Sequence, residues 1–260
     1  MRTPSIYVRD TAPAARRWCS LEIVSQPLVS AIVVNWNGAP HLRPCLTALS
    51  QQTYPALEIL LIDNASTDNS WQVISGLERE FSAQQQAQSP PASPDSPEMR
   101  RELHVLRNSR NEGFCRANNQ GIADSQGEFV LLLNADVTLA PRFVEVLVQV
   151  MQADPAVGIA LGKLLSGHDP TRIDSTGIVI YKNRRAVDRG QGEPDVGQYD
   201  TCQEVFGASA AACLYRRVML DELAYPPPQA DLDAEYLDTL FFAYKEDIDL
   251  AWRARLYGWK

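Results

Sequence analysis

LVSAIVVNWNGAPHLRPCLTALSQQTYPALEILLID, residues 28–63, decides the fold class. It opens on a short apolar, β-branched run, LVSAIVVNW (28–36), of the kind found in strands buried on both faces. A polar turn with Asn37, Gly38 and Pro40 ends that run. Leu42, Cys45, Leu46 and Leu49 then recur at helical spacing between His41 and Gln51. EILLID (58–63) is a second buried strand. Strand, helix and strand in this order predict a βαβ unit and hence a parallel sheet.

The alternation continues downstream. NASTDNS (64–70) leads into a helix with Trp71, Ile74, Leu77 and Phe81 on its apolar face. LHVLRN (103–108) is a third strand and FCRANNQGIADS (114–125) a helix. EFVLLLNAD (128–136) is the most apolar strand and therefore central. Pro141 starts the next helix, FVEVLVQVMQAD (143–154), as helix starts prefer. Between the second helix and the third strand, Ser82 to Arg100 is rich in Gln, Ser and Pro and reads as a mobile insertion. VGIALGKLL, GIVIY and VFGASAAACLYRR in the second half read as shorter strands. LFFAYKEDIDLAWRARLYGW (240–259) is an apolar strand or turn entering an amphipathic helix. The preceding stretch, DELAYPPPQADLDAEYLDTLFF (221–242), is loop-like, either a plain connection or a cap over a cleft. Residues 1–27 lack periodicity and read as an N-terminal extension, leaving 28–260 as the folded domain.

Composition narrows the function classes. The 260 residues are 45% hydrophobic and 22% charged, as in ordinary globular proteins. A net charge of −8 argues against a nucleic-acid partner, which calls for a basic footprint. No apolar run approaches the ~18 residues of a membrane span. The first residues lack the apolar core of a secretory signal, and the five scattered cysteines form no C-x-x-C pair. A reducing, cytoplasmic location follows, with neither a disulfide framework nor a zinc site.

In open α/β sheets, ligands bind at the carboxyl ends of the strands. Here those ends are Asn35–Trp36–Asn37, Asp63–Asn64, Asn108 to Asn111, and Asn134–Ala135–Asp136. Asn and Asp terminate strands routinely, but four such ends on one edge point to a ligand. The glycine fingerprints that cradle phosphates are missing, and Gly207–Ala208–Ser209–Ala210–Ala211 lacks the second glycine of a nucleophile elbow. A diphosphate could instead be neutralised by Mg²⁺ or Mn²⁺ on a carboxylate. Asp136 is the best candidate for that carboxylate.

AIVVNWNG, ILLIDNASTDNS, NEGFCRANNQGI, GEFVLLLNADV, VFGASAAACLYRR and FFAYKEDIDLAWRARLYGW together resemble a family 2 glycosyltransferase, with rhamnosyltransferase-like members nearest. The resemblance covers residues 28–260 apart from the insertion. It implies the GT-A fold, a mostly parallel mixed sheet flanked by helices, and inverting transfer from a nucleoside diphosphate sugar (dTDP- or UDP-linked). The acceptor would be a glycan or lipid-linked glycan of an envelope or surface polysaccharide. Such an acceptor leaves peripheral association with the inner membrane face open.

The resemblance also implies roles. Val34, Asn35, Trp36 and Asn37 would line the nucleotide pocket, and Asp63 would accept from the N3–H of uracil or thymine. Asn111, Gly113 and Phe114 would approach the donor sugar. Asn134–Ala135–Asp136 takes the place of the D-x-D motif, with Asp136 on the divalent cation and Asn134 where Asp is usual. Glu246–Asp247 matches the E-D motif: Asp247 would be the general base and Glu246 would position the acceptor or its loop. Gly207, Ala208 and Ser209 would run beside the acceptor. Ser66 and Asp68 are read as helix-start residues, and Asp247 also suits a helix cap. Similar proteins continue past the E-D helix, which leaves truncation after Lys260 open. A non-catalytic sugar-nucleotide-binding module or truncated inactive paralogue is the main alternative. A pyrophosphorylase would need a basic, Gly-rich loop that VNWNGAPHL does not supply.

Overall fold

The computed structural model describes residues 6–8, 26–87, 102–226 and 234–260. In chain order, β1 (Ile6–Val8) precedes β2 (Val29–Asn35), α1 (Ala39–Ser50), β3 (Leu57–Asp63) and α2 (Ser70–Ala87). Then come β4 (Leu103–Arg107), α3 (Gly113–Asp124), β5 (Phe129–Asn134), β6 (Val137–Thr138) and α4 (Phe143–Ala153). Short strands follow: β7 (Ile159–Leu161), β8 (Leu164–Leu165), β9 (Ile173–Ser175), β10 (Ile178–Ile180) and β11 (Ala186–Asp188). The chain returns to the main sheet with β12 (Ala212–Arg216) and ends in α5 (Arg217–Leu223) and α6 (Glu246–Leu256).

The main sheet has six strands in the order β4-β3-β2-β5-β12-β7. β4, β3, β2 and β5 are parallel, and β12 runs antiparallel to both β5 and β7. This is the mostly parallel, mixed sheet expected. Its register has a direct consequence for function. Asn35 pairs with Asp63, Asp63 with Arg107, and Val34 with Asn134, so the four polar strand ends share one edge.

The sheet is covered on both faces. On one, Leu42, Leu46, Leu49, Ile74, Leu77, Phe143 and Leu147 pack against Val29, Ala31, Val33, Ile59, Leu61 and Leu131. On the other, Cys115, Ala117, Ile122, Leu220 and Leu250 pack on Ile32, Leu60, Ile62, Val130 and Leu132. Burial on both faces is why these strands read as continuous apolar runs. α3 lies close against the sheet because Gly121 faces it: a Cβ there would come within 2.5 Å of Ile32 Cγ2. That close approach sets the position of the Asn111–Phe114 turn at the start of α3.

Several boundaries differ from expectation. α2 continues to Ala87, six residues into the segment read as an insertion, because Ser, Ala and Gln carry a helix readily. Residues 88–100, the rest of that segment, lie outside the described residues. α1 starts at Ala39, with Pro40 in its first turn, where a missing N–H costs nothing. Within the presumed extension, Ile6–Val8 pairs parallel with β6 and antiparallel with β8, in a four-stranded sheet of order β6-β1-β8-β9. The Leu240–Trp259 block, expected to open on a strand or a turn, opens on the 3₁₀ turn Thr239–Phe241.

Candidate active site

The turn after β2 and the turn after β3 are built against each other. Asn37 adopts a left-handed conformation (φ 54°), and its Oδ1 accepts from the backbone N–H of Thr67 at 2.7 Å. Ser66 Oγ accepts from Asn37 N–H at 2.9 Å and from Asn35 Nδ2 at 3.0 Å. Asp68 joins the starts of two helices, accepting from Ser70 N–H at 2.9 Å and Ala39 N–H at 3.2 Å. Asp68 is therefore the helix-start residue expected, whereas Ser66 braces the first turn.

Asn64 organises the Asn111–Phe114 turn. Its amide donates to Asn111 Oδ1 (2.9 Å) and to Gly113 O (3.2 Å). Its carbonyl accepts from Asn108 Nδ2 and Glu112 N–H, both at 3.0 Å. Three of its four side-chain hydrogen bonds go to this turn and the fourth to Asn108. Gly113 has φ +83°, and a Cβ on it would meet the Phe242 ring at 2.6 Å and the Phe242 carbonyl oxygen at 2.9 Å. That carbonyl accepts from Phe114 N–H (2.7 Å) and Cys115 N–H (3.2 Å), capping α3. The segment preceding α6 is thereby fixed to the turn after β4. Phe242, Tyr244 and Lys245 all have positive φ, at 58°, 70° and 78°. Strain of this kind persists only where surrounding bonds hold it.

Two cavities open along this edge. The larger, about 750 Å³, is lined by Val34, Asn35, Trp36, Asn37, Gly38, His41, Asn64, Asn111, Gly113, Phe114, Asn134, Asp136, Phe242 and Tyr244, among others. It brings together every expected donor-site residue except Asp63. Trp36 is 59% exposed within it, a free aromatic face. Asp63 is fully buried and does not line the cavity. Its Oδ1 accepts from Asn35 Nδ2 at 3.1 Å, and Arg107 Nε approaches Oδ2 at 3.9 Å without bonding it.

The second cavity, about 400 Å³, is lined by Ile178, Ala186, Val187, Asp188, Ser209, Ala210, Ala211 and the Ala243–Ile248 segment. Phe114, Asn134, Ala243 and Tyr244 line both cavities, so the two adjoin. Glu246 and Asp247 both face the second one. Asp247 lies in the first turn of α6, after the left-handed Lys245, rather than at the cap position. Ser209 lines this cavity, whereas Gly207 and Ala208 do not.

Burial dominates the electrostatics. It pushes the Asp247 carboxyl above its ordinary value, against backbone hydrogen bonds from Ile248 and Ala210; the nearby Asp188 charge adds to the rise. Burial raises Glu246 to about 7. Glu246 is 5% exposed and its Oε2 has no hydrogen-bond partner among the described residues. Asp136 is also raised by burial, opposed by its own backbone N–H and by His41. A half-buried carboxylate at a cleft wall is where a cation would relieve the desolvation cost. No cluster of three His, Cys, Asp or Glu side chains able to hold a metal occurs among the described residues. Asp136 thus fits a cation only as one of several ligands, and oxygens from elsewhere would have to complete the shell.

Asn64, His41, Phe242, Tyr244 and Asp188 line the site without having been assigned to it from sequence. Asn64 could have been found beside Asp63 at its strand end. Asp188 carries no local signal, because β10 and β11 reach the cavity only through the topology. No helix among the described residues is long and apolar enough to cross a membrane.

The model of the family described as "Glycosyl transferase family 2" matches residues 30–224. A Streptococcus pneumoniae protein, "Glycosyltransferase GlyG", is 28% identical over 134 residues, half of this chain and 38% of that relative. Among solved structures, the Pyrobaculum calidifontis mannosyltransferase PcManGT, in complex with GDP-Man and Mn²⁺, superposes with a TM-score of 0.56 at 20% identity. That match covers 90% of this chain and 53% of PcManGT. S. aureus TarS 1-349 in complex with UDP gives a TM-score of 0.55 at 17% identity, over 88% of this chain and 55% of TarS 1-349. The chain thus spans only about half or less of the proteins it resembles, and the shared fold is GT-A.

Proposed function

The chain belongs to glycosyltransferase family 2, and on that premise we propose that it moves a sugar from a nucleoside diphosphate donor to an acceptor hydroxyl with inversion. The observation that carries this reading is the adjoining pair of cavities, with Asp136 in one and Asp247 in the other. PcManGT with GDP-Man and TarS with UDP support a nucleotide-linked donor on this fold.

In the larger cavity, Trp36 would stack on the base, and Asn37 with Val34 would border the ribose. Asp63, closed off from the cavity, would brace Asn35 rather than accept from the base, and the donor would be a UDP- or dTDP-sugar. Asn111, Gly113 and Phe114 would border the donor sugar, rhamnose or a similar hexose, beside the second cavity. Asp136 would hold Mn²⁺ or Mg²⁺, assisted by Asn134. When bound, such a cation neutralises charge on the leaving diphosphate.

The acceptor would enter the second cavity, a glycan or lipid-linked glycan of an envelope polysaccharide. Its hydroxyl oxygen forms the bond to the anomeric carbon as the bond from that carbon to the diphosphate oxygen breaks. Asp247 takes the hydroxyl proton; the carboxylate must be ionised and within hydrogen-bond reach. A raised pKa strengthens Asp247 as a base. Glu246, beneath it, would hold the loop that positions it.

Hydrolysis of a panel of nucleotide sugars, with and without Mn²⁺, tests this on the wild type, Asp136→Ala and Asp247→Asn. Each substitution should cost ~10²–10⁴ in rate, the scale of a general base or a metal ligand. Undiminished turnover in both variants would sink the mechanism, and release of nucleotide only with added pyrophosphate would favour a pyrophosphorylase.

A further inference from the structure

β10 and β11 form a two-stranded hairpin, with Ile178 opposite Asp188 and Ile180 opposite Ala186. At its open end and along the whole of β11 it walls the second cavity through Ile178, Ala186, Val187 and Asp188. The other end is the exposed turn Tyr181–Lys182–Asn183–Arg184–Arg185, closed by the bond from Arg184 N–H to Tyr181 O at 2.8 Å. Arg185 adjoins Ala186, so at ~3.3 Å per residue the turn begins within a sugar's length of the cavity. In a chain of net charge −8, three cations fall within four positions here. Their side chains make no hydrogen bond or ion pair to another described residue. Arg184 has φ +65°, a conformation that turns ordinarily give to Gly or Asn. A cation occupies that position in spite of its conformational cost.

A second feature flanks the same cavity. Leu240 is 92% exposed and Phe241 37% exposed, on the 3₁₀ turn just before the Ala243–Ile248 wall; Tyr244 in that wall is 84% exposed. Large apolar side chains this exposed, at a cavity that also carries a basic turn, have the composition of surfaces that enter lipid headgroups.

We propose that the Tyr181–Arg185 turn and the Leu240–Phe241 turn are two contact points that hold the mouth of the second cavity against an anionic lipid surface. The cations meet phosphate headgroups, and Tyr181, Leu240 and Phe241 enter the interface. This rests on the second cavity being the acceptor site, and it specifies an acceptor presented at a membrane rather than one free in solution.

Co-sedimentation with vesicles tests the surface without a known acceptor. The wild-type protein should bind phosphatidylcholine vesicles containing about one third phosphatidylglycerol, and not vesicles of phosphatidylcholine alone, with binding weakened by salt. A Lys182→Ser/Arg184→Ser/Arg185→Ser variant should bind about a hundredfold more weakly, since each basic residue near such a surface contributes roughly a factor of five. Leu240→Ser/Phe241→Ser should lose at least about tenfold. All these positions are exposed and lie outside both cavities, so circular dichroism and donor hydrolysis should be unchanged. Absence of vesicle binding, equal binding to neutral vesicles, or wild-type binding by both variants would overturn the proposal. So would loss of inorganic pyrophosphate binding in the triple variant with vesicle binding intact. Donor hydrolysis by the wild type reads the transferase assignment separately, so failure of one is not failure of the other.

Discussion

Replacing Glu246 with Gln removes a charge from a place where water cannot solvate it. In the folded chain the carboxyl titrates at about 7, against an ordinary 4.5, chiefly because it is buried. At 1.36 kcal/mol per pH unit, that gap corresponds to about 3 kcal/mol. The folded pKa is the higher one, so the fold favours the protonated form. The group's stabilising contribution is complete below pH 4.5, declines as pH rises from 4.5 towards 7, and is lost above 7. Gln keeps the shape and stays neutral. Glu246→Gln should therefore match the wild type near pH 4.5 and exceed its stability by about 3 kcal/mol at pH 8. For a domain of this size that is ~6–12 °C in Tm. Thermal unfolding of both proteins, followed by near-UV circular dichroism at several pH values from 5 to 8, measures it. A Tm difference that does not grow with pH, or a less stable variant at pH 8, would refute the reasoning.

Two further outcomes follow from the donor side. Trp36→Ala should raise KM for the nucleotide sugar about tenfold with kcat and Tm nearly unchanged, because a base stack contributes ~1–3 kcal/mol and the ring is exposed; steady-state kinetics checks this. Gly113→Ala should cost about 2 kcal/mol or more in urea unfolding, since the position has φ +83° and the Phe242 ring and carbonyl occupy the Cβ space. It should also depress turnover by moving the segment that carries Asp247. An alanine variant as stable and active as the wild type would contradict that account.

The main sheet was legible in the sequence because β2, β3 and β5 are buried on both faces and therefore apolar without interruption. The polar strand ends were legible for the complementary reason: the apolar run stops where the cavity begins. β6, β9 and β11 carry only two or three residues, too few for a period to show, whereas β8 and β10 fall within VGIALGKLL and GIVIY, which read as short strands. Asp188 was hidden for the same reason. Glu246 was legible as a motif residue, but its burial was not, since a carboxylate in the first turn of a helix ordinarily faces water and complements the dipole. Asp63 shows a different limit. Its position at a strand end was legible, yet only the register reveals that Asn35 and Arg107 flank it and close it off from the cavity.

The Phe242 carbonyl has a consequence for how such enzymes diverge. One peptide group caps α3 and fixes the approach to Asp247, so the turn that would meet the donor sugar and the residue that would take the proton share a single anchor. On the proposed roles, remodelling the Asn111–Phe114 turn for a new donor would disturb the segment that carries Asp247. The β10–β11 hairpin forms a separate two-stranded sheet that the Phe242 carbonyl does not anchor. On the proposed reading, acceptor choice would be free to drift on that hairpin while donor chemistry stays fixed.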